Sequence, residues 1–326
     1  MNLPLVSIII PAFNIEKYIG RSIVSCIEQN YDNIEIIIVN DGSTDKTPDV
    51  IKKHAQIDSR IVYLNKKNEG VNLARRDGVI KAKGEYLFFL DGDDTIPKDS
   101  INKMIEIAIL NDSDIVAGDV EIDNGKGFSS SRSYSKFKAG GGIDFLEFIL
   151  SNSLHYLWGK LIRRSIYTEN RIIQPDNIAI GEDQIQLYQI CYFAQRVDTV
   201  NTVVYNYLYN ESSVTQRFDK GVYSHNQFNY SSGIKLIQSE YGFNSIINQQ
   251  LNLRLIISYH QTIGRVGDRF DDYLNMRKIV LPALKTNIKG FKWLFISKMH
   301  IVKGVFSLIL PNVYYKLRLM FQSLKQ

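Results

Sequence analysis

Asp91-Gly92-Asp93-Asp94 sets three carboxylates around a single glycine, directly after the apolar run Tyr86 to Leu90. Charges that close repel one another, and burial at the end of a strand raises the cost of ionising them. A hard divalent cation bound through oxygen removes the conflict. Mg2+ or Mn2+ typically takes one or two carboxylates and completes its shell with phosphate oxygens. The competing reading is a solvated acidic turn that caps the next helix, and the position after a buried strand favours the cation. Three further groups fit a phosphorylated ligand. Asp41 closes the run "IEIIIVND" one residue before Gly42, where an acid can accept hydrogen bonds from a base or a ribose. In "NKKNEGVNLARRDG", Lys66, Lys67, Arg75 and Arg76 supply positive charge, and Gly70 lets the backbone approach a ligand closely. Glu182 and Asp183 follow Gly181 and open a helix that reads as amphipathic; by themselves, acids there are ordinary dipole partners.

The elements that must position these groups alternate between strand and helix. "LVSIIIPA", "IEIIIVND", "RIVYLN", "EYLFFLD" and "DIVAGDVEI" read as strands, the most apolar of them buried on both faces. Between them, Ile15, Ile19, Ile23 and Ile27 recur at helical spacing behind Asn14 as a cap. "STDKTPDVIKKHA" opens a second helix, "GVNLARRDGVIKA" is a third that Gly84 ends, and Pro97 starts a fourth. This order predicts an α/β fold with a mostly parallel sheet flanked by helices. Ligands in such folds sit outside the carboxyl ends of the strands, where Asn14, Asp41 and Asp91 all fall. Residues 124–142 are Gly/Ser/Lys-rich and read as a mobile loop or an extended edge. From about Asp219 onward the pattern is helical. No G-x-G-x-x-G follows the first strand, and no G-x-x-x-x-G-K-[ST] occurs, which argues against a dinucleotide oxidoreductase and against a P-loop NTPase.

Taken together, "VSIIIPAFN", "IIIVNDGSTDKT", "NEGVNLARRDG", "GEYLFFLDGDD" and "GED" resemble the ordered blocks of inverting family 2 glycosyltransferases of the GT-A fold. They are similar above all to bacterial enzymes that build capsule or O-antigen chains. The resemblance spans roughly residues 4–215. It implies a GT-A catalytic domain over 1–218, its nucleotide-binding half about 1–120 and its acceptor half about 121–218, with a helical, basic extension over 219–326. It implies that Pro11, Phe13 and Asn14 line the uridine pocket and that Asp41 bonds the uracil. Asn68, Gly70 and Arg75 lie along the nucleotide-sugar, with Lys66 beside them. Val71 stands where family members of this type usually carry a second glycine. Asp91 contacts ribose or sugar and shares the metal, Mn2+ or Mg2+, with Asp93; Gly92 and Asp94 count with them among the nucleotide-sugar-binding residues, Asp94 either orienting the donor or supporting the turn. Asp183 is the implied base, with Glu182 its neighbour. Ser213 and Arg217 fall where relatives hold the diphosphate, His225 could complete a metal shell, and Trp158 and Lys160 shape the acceptor pocket. The implied partners are a UDP-sugar donor and a saccharide or lipid-linked oligosaccharide acceptor. The alternative is a catalytically silent sugar-nucleotide- or lipid-binding partner of an assembly complex, against which intact acids at Asp93 and Asp183 argue. A nucleotidyltransferase would need a Gly-rich basic first loop, which "PAFNIEKY" lacks.

Composition bounds the rest. A hydrophobic share of 44% with 22% charged residues is that of a globular chain with a large core. Cys26 and Cys191 are the only cysteines, too few for a disulfide framework and suited to a reducing cytosol. "MNLPLVSIII" reads as a strand and not a signal peptide. Net charge is +5, yet ten Lys and Arg and no acid follow Asp272. Residues 301–321 mix apolar and basic side chains and are broken by Lys303 and Pro311. They read either as an interfacial helix on an anionic membrane or as a packed helical subdomain. The expected location is the cytoplasm, and on the first of these two readings it is peripheral on the inner membrane face; no nucleic-acid motif accompanies the charge.

Overall fold

The computed structural model describes residues 3–173, 178, 181–211 and 220–263. Two compact units divide the chain. The first comprises Met1–Leu146, Leu154–Ile172 and Gln186–Glu211 and carries one eight-stranded sheet. Strands β1 (Val6–Ala12), β2 (Ile34–Asp41), β3 (Ile61–Lys66) and β4 (Tyr86–Phe89) alternate with helices α1 (Ile19–Ile27), α2 (Thr47–Ala55) and α3 (Val71–Lys81). These four strands are parallel in the order β3-β2-β1-β4. Every residue of β1 is buried, as is nearly all of β2. Helices cover both faces, so β1 and β2 are mostly apolar, and the polar pair Ser7 and Glu35 within them is joined by a hydrogen bond from Ser7 Oγ at 2.6 Å.

After α4 (Ser100–Asn111), the chain forms β5 (Ile115–Asp123) and β6 (Phe128–Arg132). β6 is antiparallel to β5 and realises the extended-edge reading of the Gly/Ser/Lys-rich stretch. β7 (Lys160–Arg163) inserts antiparallel between β4 and β5, and β8 (Val197–Tyr207) runs parallel along β5. A short helix, α6 (Ser165–Glu169), follows β7. Two other helices are α5 (Gly142–Asn152) and α7 (Glu182–Phe193).

Glycines set the closest approaches. A Cβ on Gly78 would lie 2.5 Å from Ile9 Cγ2, so the glycine lets α3 pack on β1. Gly84 does not end α3, which stops at Lys81 with Ala82 as its extended C-cap. Its role is contact: its N–H donates to Ser7 Oγ at 2.9 Å, and a Cβ there would lie 2.6 Å from the Ser7 backbone nitrogen. Nor is α7 amphipathic: Ile185 through Cys191 are all buried.

Aromatic packing fills the core beside β8. Trp158 is stacked between Tyr156, at 4.2 Å, and Tyr205, at 4.9 Å. Lys160 is fully buried below it, its ammonium donating to Tyr134 Oη at 2.7 Å and to the Tyr156 carbonyl at 2.6 Å.

The second unit comprises Glu147–Ser153, Ile173–Ile185 and the chain from Ser212 on. Its described helices are α8 (Lys220–Glu240) and α9 (Ser245–Ile263). Lys235 and Gln238 of α8 both donate to Asn252 Oδ1 of α9 at 3.2 Å, and Arg254 reaches the Leu150 carbonyl at 3.1 Å. Ser213, Arg217 and the basic region from 264 on lie outside the described residues, as does the interfacial-helix reading. His225 falls within α8, but its side chain is outside the description. Among the described residues no helix is long and apolar enough to cross a membrane.

Candidate active site

Parallel register brings the ends of β1 to β4 to one rim: Ala12 pairs with Asn40, Asp41 with Lys66 and Ile9 with Phe89. The segment after β1 and the segment after β2 are then stitched to each other. Asn14 does not cap α1, whose N-cap is Tyr18. It adopts φ 51°, its Oδ1 accepts the Thr44 N–H at 2.8 Å, and its own N–H donates to Ser43 Oγ at 3.0 Å. The Ile15 N–H donates to Thr47 Oγ1 at 2.9 Å, the Glu16 N–H to Asp45 Oδ2 at 3.1 Å, and the Lys46 N–H to Glu16 Oε2 at 2.8 Å. Pro11 is buried under this seam while Phe13 stands 47% exposed on the rim, available to a flat ligand.

Asp41 is buried and organises the neighbouring loop. Its Oδ1 accepts the Glu69 N–H at 3.0 Å and its Oδ2 the Gly70 N–H at 2.8 Å. Gly42, at φ 73°, makes the approach feasible, since a Cβ there would sit 2.6 Å from the Asn68 nitrogen. Asn68 is exposed, and Gly70 (φ 93°) is the N-cap of α3 with open space on its Cβ side. Lys66 turns away from solvent: its ammonium sits 2.7 Å from both Asp77 and Glu69.

The acidic turn distributes its three carboxylates to different tasks. Asp91 Oδ1 accepts from Arg75 Nη2 at 2.9 Å, and Arg75 is itself buried on α3. Asp94 is a structural anchor: Tyr205 Oη donates to its Oδ2 at 2.7 Å, and the Leu208 N–H to its Oδ1 at 2.8 Å. The same phenol accepts the Asp91 N–H at 3.1 Å, so Tyr205 grips both ends of the turn. Gly92 is obligatory there, because a Cβ would meet the Pro11 carbonyl at 2.9 Å and Ile15 Cδ1 at 2.4 Å. Asp93 is half-buried, its Oδ2 accepting from Asn210 Nδ2 at 2.7 Å and its carbonyl from Arg21 at 2.6 Å. Burial, and then the Asp91 charge, push the Asp93 carboxyl above the usual range, against the pull of Asn210. Burial with the Asp93 and Asp91 charges pushes Asp94 well above it.

A divalent cation fits these residues. The donors are hard oxygens, Asp93 bears an electrostatic cost that a cation would relieve, and Arg75 already serves Asp91. Among the described residues no group of three or more His, Cys, Asp or Glu forms a complete cage.

In the second unit, Gly181 takes φ 92° against the Tyr230 ring, where a Cβ would lie 2.7 Å from the ring carbon. Tyr230 Oη donates to Gln184 Oε1 at 2.9 Å. This contact fixes the first turn of α7, where Glu182 is buried, Asp183 is half-buried, and Asp183 Oδ1 accepts the Gln184 N–H at 2.8 Å. Trp158 and Lys160 are core residues, so any acceptor contact through them would first have to open that packing. Sequence reading missed Tyr205, Asn210 and Arg21. Tyr205 and Asn210 stand more than 110 positions from the acids they hold.

Comparison with known proteins gives a consistent picture. A family model described as "Glycosyl transferase family 2" matches residues 7–180. The "Putative glycosyltransferase EpsH" of Bacillus subtilis (strain 168) is 30% identical over 275 residues, covering 82% of this chain and 78% of that protein. Among solved structures, S. aureus TarS 1-349 in complex with UDP-GlcNAc superposes with TM-score 0.62 at 19% identity, covering 88% of this chain and 94% of that one. The mannosyltransferase PcManGT from Pyrobaculum calidifontis, in complex with GDP-Man and Mn2+, gives TM-score 0.56 at 15% identity over 98% of this chain and 87% of that one.

Proposed function

The chain belongs to glycosyl transferase family 2. On that premise we propose that it is an inverting, metal-dependent enzyme that moves a hexose or N-acetylhexosamine from a UDP-sugar to a saccharide acceptor. The acceptor is lipid-linked and the setting is bacterial surface polysaccharide synthesis, at the inner face of the cell membrane. The observation that carries the reading is the rim pair. Asp91 is held by Arg75, while Asp93 is held by Asn210 and stays costly to ionise without a cation. The UDP-GlcNAc complex of TarS and the GDP-Man and Mn2+ complex of PcManGT support a nucleotide-sugar donor.

In this mechanism Phe13, Asn14 and Asp41 frame the base. Asn68, Gly70 and Arg75 run along the diphosphate and sugar, and Asp93, with Asp91, would hold Mg2+ or Mn2+. When bound, the ion supplies neutralisation of the charge that builds on the departing diphosphate. The acceptor hydroxyl oxygen attacks the anomeric carbon from the face opposite the diphosphate. As the new C–O bond forms, the anomeric C–O bond breaks and its electron pair leaves with UDP. The hydroxyl proton passes to the Asp183 carboxylate, which is the base, and Glu182 supports its helix turn. One displacement inverts the anomeric centre, so an α-linked donor gives a β-glycoside. The test is a UDP-release assay across common UDP-sugars. Release that requires Mn2+ or Mg2+ and disappears in Asp93→Ala supports the proposal, and absence of release from every donor by the folded protein overturns it.

A further inference from the structure

Helix α3 carries a buried polar face. Asn72 and Arg75 are three residues apart and lie side by side on the helix. Gln186 of α7 is 1% exposed, and its Nε2 donates to Asn72 Oδ1 at 2.9 Å. Arg75 Nη2 donates to Asp91 Oδ1 at 2.9 Å. Tyr167 of α6 packs its ring 5.9 Å from that of Phe89, the last residue of β4 and two residues before Asp91. Burial raises the Tyr167 phenol, and the nearby Arg75 guanidinium works against that rise.

Among the described residues, Gln186 Oε1 and Tyr167 Oη, both buried, have no hydrogen-bond partner. A buried polar atom left unmatched destabilises the fold, so each calls for a reason. Their chemistry is complementary. The amide oxygen only accepts, whereas the phenol donates and accepts. A sugar hydroxyl satisfies both, and an apolar group satisfies neither.

We propose that Gln186 Oε1 and Tyr167 Oη bind hydroxyl groups of the transferred sugar, which makes the Asn72–Arg75 face of α3 the surface that selects the donor sugar. The inference rests on the nucleotide-sugar reading above and adds to it which residues read the sugar. Arg75 ties this face to Asp91 and so to the rim.

The test compares UDP with UDP-glucose, UDP-galactose and their N-acetyl forms by calorimetric titration of the full chain in Mn2+, for wild type, Tyr167→Phe and Gln186→Leu. Tyr167→Phe removes one oxygen that no protein group uses. Its thermal midpoint should therefore equal or exceed that of wild type, while its affinity for the preferred UDP-sugar falls about fivefold and its affinity for UDP stays unchanged. Gln186→Leu also frees Asn72, so it should lose somewhat more sugar affinity and some stability. Three results would overturn the proposal: both variants bind the UDP-sugar as wild type does, which means water alone meets these atoms; UDP and UDP-sugar weaken equally; or Tyr167→Phe melts well below wild type. A wild-type protein that binds no UDP would instead overturn the UDP reading itself, and this inference with it.

Discussion

Asn210 Nδ2 donates to Asp93 Oδ2 at 2.7 Å, joining the end of β8 to the acidic turn after β4. Asn210 is 5% exposed, so the bond is sheltered from water. It fixes which lone pairs of Asp93 face the rim, much as outer-shell partners orient metal ligands generally. Asn210→Ala should weaken Mn2+ binding in the presence of UDP by about 10- to 100-fold. Calorimetric titration of Mn2+ into the UDP complex measures this, and an unchanged affinity would deny Asn210 that role.

Asp94 should behave as a structural residue. Asp94→Ala leaves Tyr205 Oη and the Leu208 N–H without their acceptor in the core. Denaturant unfolding should show a loss of about 2–4 kcal/mol, whereas Asp94→Asn, which keeps an acceptor oxygen, should lose about 1 kcal/mol or less. A pH series separates the two forms further. The folded pKa of Asp94 lies above its unfolded one, so the native state holds that proton more tightly. Its stabilising effect is complete below the ordinary carboxylate range, about pH 4, and is lost as pH rises through the raised value. Metal-free wild type should therefore lose stability relative to Asp94→Asn across that window, and parallel pH curves would contradict the assignment.

How far the sequence reveals this site depends on how far apart the partners stand along it. Asp41 and Asp91 are legible because continuous apolar runs lead into them and parallel strands deliver both to one rim. Asn14 misleads, because an Asn before a helical pattern reads as a cap, yet here it takes a left-handed backbone and bonds Thr44 across the seam. Gly84 misleads similarly, since close approach to Ser7 and a helix stop both demand glycine. The period of α7 suggests a solvent face, but neighbours cover Ile185 through Cys191 all round. Nothing beside Tyr205 or Asn210 in the sequence shows what they hold, because their partners lie in the turn after β4, more than 110 positions earlier.

Gly42 should tolerate no side chain. It has φ 73°, and an added Cβ would lie 2.6 Å from the Asn68 nitrogen, a backbone atom with little room to yield. Gly42→Ala should cost about 2–3 kcal/mol of stability, combining left-handed strain with the clash. It should also push the Asn68–Gly70 loop off Asp41 and weaken UDP binding at least about tenfold, measurable by fluorescence titration. A variant of normal stability and UDP affinity would mean that the two loops move apart freely.

Asp183→Asn should separate binding from chemistry. The Asn keeps the oxygen that accepts the Gln184 N–H but cannot take a proton from the acceptor. UDP-sugar affinity should stay within about twofold of wild type, and transfer should fall by about 100- to 10,000-fold. Transfer at the wild-type rate would reassign the base.

Titration of UDP with and without Mn2+, in wild type and in Asp93→Asn, bears most directly on the claim that the acidic rim holds a cation for a nucleotide diphosphate. The expected result is at least about tenfold tighter UDP binding with Mn2+ in wild type, and no such gain in the folded Asp93→Asn protein. Equal UDP affinity in wild type with and without the metal would contradict it.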